Sequence, residues 1–194
     1  MLVDRIIGAF TFRKGVYSEV EKDEAFTTTA WVLVAVAAFL NQLGSSAVGG
    51  FSAPVRWLLS AIVWTVVSVI GFAVAAYLIS VLGKTLFSAE VTFGETVRTL
   101  GLAYIWNAIG FLAIVGAISA VLLCVVSPVT IIAAILGFAA WLVAAKEALD
   151  LDWGKTLVVI IVGIVVYFAV LLVAGIIVGI LGLGAGMVGG LFSS

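Results

Sequence analysis

The chain has 194 residues, 65% of them hydrophobic and 10% charged, with nine Lys or Arg against ten Asp or Glu and no histidine. A soluble domain is roughly half apolar and a quarter charged, so the composition is that of an integral membrane protein. The missing histidine excludes a histidine-ligated metal or haem, a histidine general base and a Ser–His nucleophile pair, and the near-zero net charge excludes a nucleic-acid partner.

In chain order, residues 1–26 form a charged N-terminal segment in which Leu2, Val3, Ile6, Ile7, Phe10 and Tyr17 recur at helical spacing among Arg5, Arg13 and Lys14. Two readings fit: an amphipathic helix lying in the membrane interface, or a short cytosolic helix packed on the protein itself. Both signs of charge run through to Glu24 before any apolar stretch begins, which is unlike a cleaved signal peptide. The first span is therefore expected to be a retained anchor.

Uncharged runs then cover Ala25–Val55, Trp57–Gly83, Thr99–Ala145 and Thr156 onward. A hydrocarbon core of about 30 Å needs about 20 helical residues. The third run would reach about 70 Å as one helix and must fold back. Ser127-Pro128 is the predicted corner, because serine caps helices and proline suits the first helical position. The expectation is an all-α bundle of five transmembrane helices, Thr27–Leu43, Trp57–Leu82, Thr99–Val126, Val129–Ala145 and Thr156–Leu183, forming a membrane domain over 27–183. A Gly-rich tail follows over 184–194. Thr92 and Glu95 have capping-box spacing and start a helix. Because Phe93, Val97, Leu100, Tyr104 and Ala108 share a face, Phe93–Ala108 is alternatively an interfacial helix ahead of a shorter span.

Eight of the nine basic residues and all ten acidic ones fall on the side of the N-terminus, leaving Arg56 alone on the other. Lysine and arginine excess marks the cytoplasmic face, so the N-terminus is expected inside and the C-terminus outside. The predicted spans hold no Asp, Glu, Lys or Arg, which counts against an ion pump. Asn41, Gln42, Thr65, Ser68, Tyr77 and Asn107 are read first as interhelical hydrogen-bond formers; Asn107, beside Trp106 and Tyr104, is the candidate for an interface or pocket. Cys124 reads as a small hydrophobe. Gly175 and Gly179 open a glycine ladder, continued by Gly182, Gly186 and Gly190, and are expected to form a packing seam within the protein or between copies.

The segment KEALDLDWGK, residues 146–155, reads as a turn between the last two spans: Lys146 favours the end of one helix and Asp152 caps the next. Lys146, Glu147 and Asp150 are candidate partner contacts, secondary to this hairpin role. No metal site, cofactor or catalytic residue is expected.

The order ETVRTLGLAYIWNAIGFL, an apolar hairpin, then WLVAAKEALDLDWGKTLVVIIV resembles the Yip-domain family, named for interaction with Ypt/Rab small GTPases, and RKGVYSEVEKDEAFTTTAWVLV is similar to its tyrosine-and-acid lead into the first span. The resemblance implies a five-span helical domain with a cytoplasmic N-terminus and no enzymatic activity. The N-terminal segment is short and lacks the Asp-Leu-Tyr-Gly-Pro stretch, which puts small-GTPase binding in doubt. A prokaryotic plasma-membrane member is implied. The expected function is a non-catalytic membrane protein that organises partners or the bilayer, as an accessory subunit of a larger membrane complex, with membrane lipids, other membrane proteins or its own copies as partners. The alternative is a passive permease or a scramblase-like, lipid-handling protein.

Overall fold

Among the described residues every regular element is helical. The structure is a computed structural model describing residues 2–47 and 52–180, with 170–180 as backbone only. The helices are α1 (Leu2–Phe10), α2 (Val16–Glu21), α3 (Phe26–Ser45), α4 (Pro54–Phe87), α5 (Phe93–Ala103), a 3-10 segment (Tyr104–Leu112), α6 (Ala113–Ile118), α7 (Ala120–Leu149) and α8 (Trp153–Ile180). The tail over 184–194, with Gly186 and Gly190, and also Gly182, lie outside the described residues.

Four runs in these residues are long and apolar enough to cross a bilayer: Phe26–Ser45, Pro54–Phe87, Phe93–Ile118 and Val121–Leu149. The expected fifth span corresponds to α8, whose described apolar part, Trp153–Ala169, is shorter. A membrane helical bundle follows.

The predicted corner at Ser127-Pro128 is wrong. The chain turns at Ser119, whose backbone is extended (φ −156, ψ 153) and whose side chain accepts a hydrogen bond from the Leu122 N–H at 3.2 Å. Gly116 lets the two arms close there, since a Cβ on it would lie 3.0 Å from Leu123 Cδ1. Pro128 instead sits inside α7. Proline removes one backbone hydrogen bond, but a break in hydrocarbon would strand several groups with no water to take them, so the helix continues through. Thr130 Oγ1 donates to the Ser127 carbonyl at 2.9 Å beside it. The third run accordingly ends at Ile118, not Val126, and the fourth begins at Ala120, not Val129.

The capping box is formed as expected: Thr92 Oγ1 accepts from the Glu95 N–H at 3.2 Å, and the Glu95 carboxylate accepts from the Thr92 N–H at 2.5 Å. The helix it starts is no surface helix. Eight consecutive residues, Thr96 to Ala103, are buried, whereas a helix lying on a bilayer keeps one face outward. Starting at Phe93 also brings Glu95 and Arg98 into the third apolar run, which the sequence reading had kept free of charge.

Burial is concentrated at the end of the bundle that carries the charges. Phe72, Ala76 and Ile79 of α4 and Ala140, Ala144 and Ala148 of α7 pack with α5 in one core, which Val159 and Ile160 of α8 extend against α4 and α7. At the opposite end Val121, Val125, Ile131 and Ile135 of α7 are exposed, as are Val55, Leu59 and Val63 of α4, and such a surface is compatible with acyl chains.

Between α7 and α8 the turn matches the sequence reading. Asp150 takes the left-handed conformation (φ 49), and Asp152 Oδ1 accepts from the Lys155 N–H at 3.1 Å, capping α8. That hydrogen bond, followed by the Lys155 charge, holds the Asp152 carboxyl below its usual range. Asp152→Ala is expected to lower the melting temperature and Asp152→Asn to leave it almost unchanged, because asparagine caps equally well; melting the two variants in detergent checks the contrast.

Candidate functional site

The N-terminal segment is two short helices joined by a reverse turn in which Phe12 (φ 54) and Gly15 (φ 83) are left-handed. Each helix ends in carbonyl groups with no partner of their own, and both are met by side chains from the α5 run. Arg98, only 6% exposed, donates from Nε to the Glu21 carbonyl at 2.9 Å; its Nη2 reaches the same oxygen and its Nη1 meets Thr27 Oγ1 at 3.2 Å. Eight residues further on, Trp106 Nε1 donates to the Ala9 carbonyl at 3.3 Å, with Phe10 edge-on to its ring at 4.9 Å. Arg5 ties α1 to the start of α3 through Asp23 at 2.7 Å, and this hydrogen bond holds the Asp23 carboxyl below its usual range.

The segment packs on the protein itself along one face. Ala9, Val16, Tyr17 and Val20 are buried against the protein, while Leu2, Val3 and Ile7 are exposed along α1. Tyr17 is 3% exposed, and its hydroxyl finds no hydrogen-bond partner among the described residues; burial pushes its phenol upward. An unpartnered buried hydroxyl costs about 1–3 kcal/mol, so Tyr17→Phe is expected to leave stability unchanged or raise it by about 1 kcal/mol. A lower melting temperature for that variant would show that the hydroxyl has a partner.

At the charged end, Lys146 and Glu147 pair with each other at 3.5 Å, and the Lys146 ammonium lies 5.8 Å from the Trp153 ring. Asp150 is exposed. Glu21 faces Asp150, Glu95 and Glu147; burial first, and then those carboxylates, raise the Glu21 carboxyl above its usual range. Lys22 opposes them, so α2, α5 and α7 bring charges of both signs to this end. Among the described residues no cluster of three or more His, Cys, Asp or Glu has the arrangement of a metal site.

Asn107 stands elsewhere, within the 3-10 segment. Runs of 3-10 helix beyond three or four residues are uncommon, and this one extends over nine. Gly44 and Gly110 bring α3 and the segment into backbone contact, and a Cβ at Gly44 would run into the Gly110 carbonyl. Asn41 Nδ2 then donates to the Asn107 carbonyl at 3.0 Å, and the Asn107 amide donates to the Tyr104 carbonyl at 3.1 Å. Asn107 lines a cavity of about 290 Å³ with Asn41, Trp106 and Thr130. A second cavity, of about 610 Å³, shares Tyr104, Phe138 and Trp141 with it and extends between α4 and α8.

The other uncharged polar residues divide. Gln42 Nε2 donates to Ser68 Oγ at 3.1 Å between α3 and α4, as expected. Among the described residues Thr65 bonds within its own helix, to the Ala61 carbonyl at 2.7 Å, and Tyr77 is exposed. Cys124 is exposed on α7. Gly175 and Gly179 fall on the α8 backbone, where no surrounding side chains are described.

Sequence reasoning missed Arg98, Trp106 and the glycine contact. The signal for Arg98 was available: a helix that starts at the Thr92 cap places residue 98 more than one turn inside it. Nothing in the sequence pairs Gly44 with Gly110.

Among known proteins, the family model described as Yip1 domain matches residues 7–176. No curated protein and no solved structure matches.

Proposed function

The chain belongs to the Yip1 domain family, and from that premise we propose that it is a non-catalytic integral membrane protein that organises partners or the bilayer, as an accessory subunit of a larger assembly. Support comes chiefly from one observation: α1 and α2 are clamped by Trp106 and Arg98 at the end of the bundle that carries Glu21, Glu95, Lys146, Glu147 and Asp150. A rigid charged surface favours partner specificity, since complementary charge steers encounter and rejects wrong partners. The proposed topology is five spans with this surface cytoplasmic, in the plasma membrane of a prokaryote. With Cys124 replaced by alanine, cysteines at Ser88 and Trp153 are expected to be labelled from the cytoplasm only, and one at Ser52 from outside. Reaction of all three from one side would overturn the topology.

The partner role is tested by the triple variant Lys146→Gln, Glu147→Gln, Asp150→Asn. Wild-type folded yield with loss of the proteins recovered from gently solubilised membranes is the expected outcome. Unchanged recovery would return this turn to a purely structural role.

A second reading, a passive permease or scramblase-like protein, is favoured by the uncharged cavities on either side of Tyr104 and Trp141. Saturable flux or lipid scrambling by the purified protein in liposomes would support it over the first.

A further inference from the structure

The larger cavity has a chemistry of its own. Its lining contains no Asp, Glu, Lys or Arg, and its polar groups gather at one place: Gln42, Ser68, Tyr104 and Tyr167. Gln42 Nε2 donates to Ser68 Oγ at 3.1 Å, while Ser45 Oγ donates to Gln42 Oε1 at 3.1 Å and fixes the amide. Tyr104 lines the cavity against Phe72, ring centroids 5.4 Å apart, and the Tyr167 hydroxyl lies over Gly71, where an added Cβ would be 3.2 Å away. Aliphatic walls at Ala75, Leu78, Ile79 and Ile160 continue from this cluster toward the charged end. Trp64 and Phe168, 54% and 63% exposed, stand at the outer surface, where acyl chains run.

Depth decides what can bind. Ser68 lies between Arg56 and Lys84, the charges that bound the apolar stretch of α4, about 18 Å from one and about 24 Å from the other along the helix. A phospholipid would have to bring an ionised head to that depth among uncharged groups, at a cost that no partner in the lining offsets. A neutral lipid has no such cost. Hydroxyls of serine and tyrosine both donate and accept, which matches a ligand hydroxyl that does the same. The volume of about 610 Å³ falls within the range of small-molecule sites.

We infer that the cavity between α4 and α8 binds a neutral, hydroxyl-bearing lipid of the diacylglycerol kind, its head on Ser68, Tyr104 and Tyr167 and its chain along Ala75 and Ile160. This goes beyond the partner-organising role and does not rest on it, since a resident lipid needs neither transport nor a protein partner.

The test uses the full chain in nanodiscs with three photoactivatable probes carrying the same diazirine acyl chain: a diacylglycerol, its O-methyl ether and a phosphatidylglycerol. The diacylglycerol is expected to label α4 and α8 peptides saturably, and the ether about fivefold less for want of the hydroxyl donor. Ala75→Trp, which fills the chain channel, is expected to lower diacylglycerol labelling several-fold at an unchanged melting temperature. Equal labelling by phosphatidylglycerol would mean that ordinary bilayer lipid fills a cleft, and would overturn the inference. So would equal labelling by the ether, a comparison made on the wild type and therefore independent of whether the tryptophan variant folds.

Discussion

Gly44→Ala is expected to destabilise the protein by about 3 kcal/mol or more, at the upper end of what overpacking costs. A Cβ at this position would meet the Gly110 carbonyl oxygen, would lie 2.8 Å from the carbonyl carbon and 3.1 Å from Phe111 Cα. Each of those atoms is backbone, so no rotamer change makes room; α3 must part from the 3-10 segment. Separation would also pull Asn41 from the Asn107 carbonyl and lose that hydrogen bond between α3 and the 3-10 segment. Gly163→Ala provides the contrast, because among the described residues its Cβ would meet Leu82 Cδ1 alone, at an ordinary 3.6 Å. Relieved of glycine's backbone entropy, that variant is expected to be neutral or slightly stabilised. Thermal melting of both variants in detergent, with recovery of folded protein as a second readout, measures the difference. Equal behaviour would mean that the two backbones do not touch.

Arg98→Met is expected to cost about 3 kcal/mol, since hydrogen bonds from a charged donor contribute about 1.5–3 kcal/mol each and their loss strands the acceptors. The Glu21 carbonyl loses two donated bonds and Thr27 Oγ1 one. Methionine fills similar volume, so packing changes little. Arg98→Lys keeps the charge but cannot present the planar fork, and should recover only part of the loss. Because α2 is what the arginine holds, cleavage by added protease between Phe12 and Glu24 should rise before the bundle melts. A uniform loss of stability without that early cleavage would locate the arginine's effect elsewhere.

The capping box at Thr92–Glu95, the Asp152 cap and the placement of Lys146 in the last turn of α7 were all legible in the chain. Each depends on residues three or four apart, and helix ends are decided at that range. The same local reasoning failed at Pro128. Serine followed by proline is a strong start signal in water, but within a long apolar run the neighbouring helix decides where a corner can close. Here Gly116 packing on Leu123 permits it at Ser119.

The sequence by itself determined the environment, the family, the number of long apolar runs up to α7 and the segregation of charge to one end. The family follows from the order of quoted motifs along the chain; the rest follow from composition and from hydropathy summed over many residues, quantities that do not depend on which helix meets which. Tertiary structure alone decided that α5 is enclosed, that Arg98 and Trp106 finish the N-terminal helices, that Gly44 meets Gly110, and that Gln42, Ser68, Tyr104 and Tyr167 converge on one cavity. Those contacts join residues that lie from 26 to 97 positions apart in the chain. In hydrocarbon, apolar side chains gain nothing by turning from lipid to protein, so hydropathy cannot say which face of a helix points inward. The facing is set by close backbone approach and by hydrogen-bond satisfaction, which arise only when the helices are together.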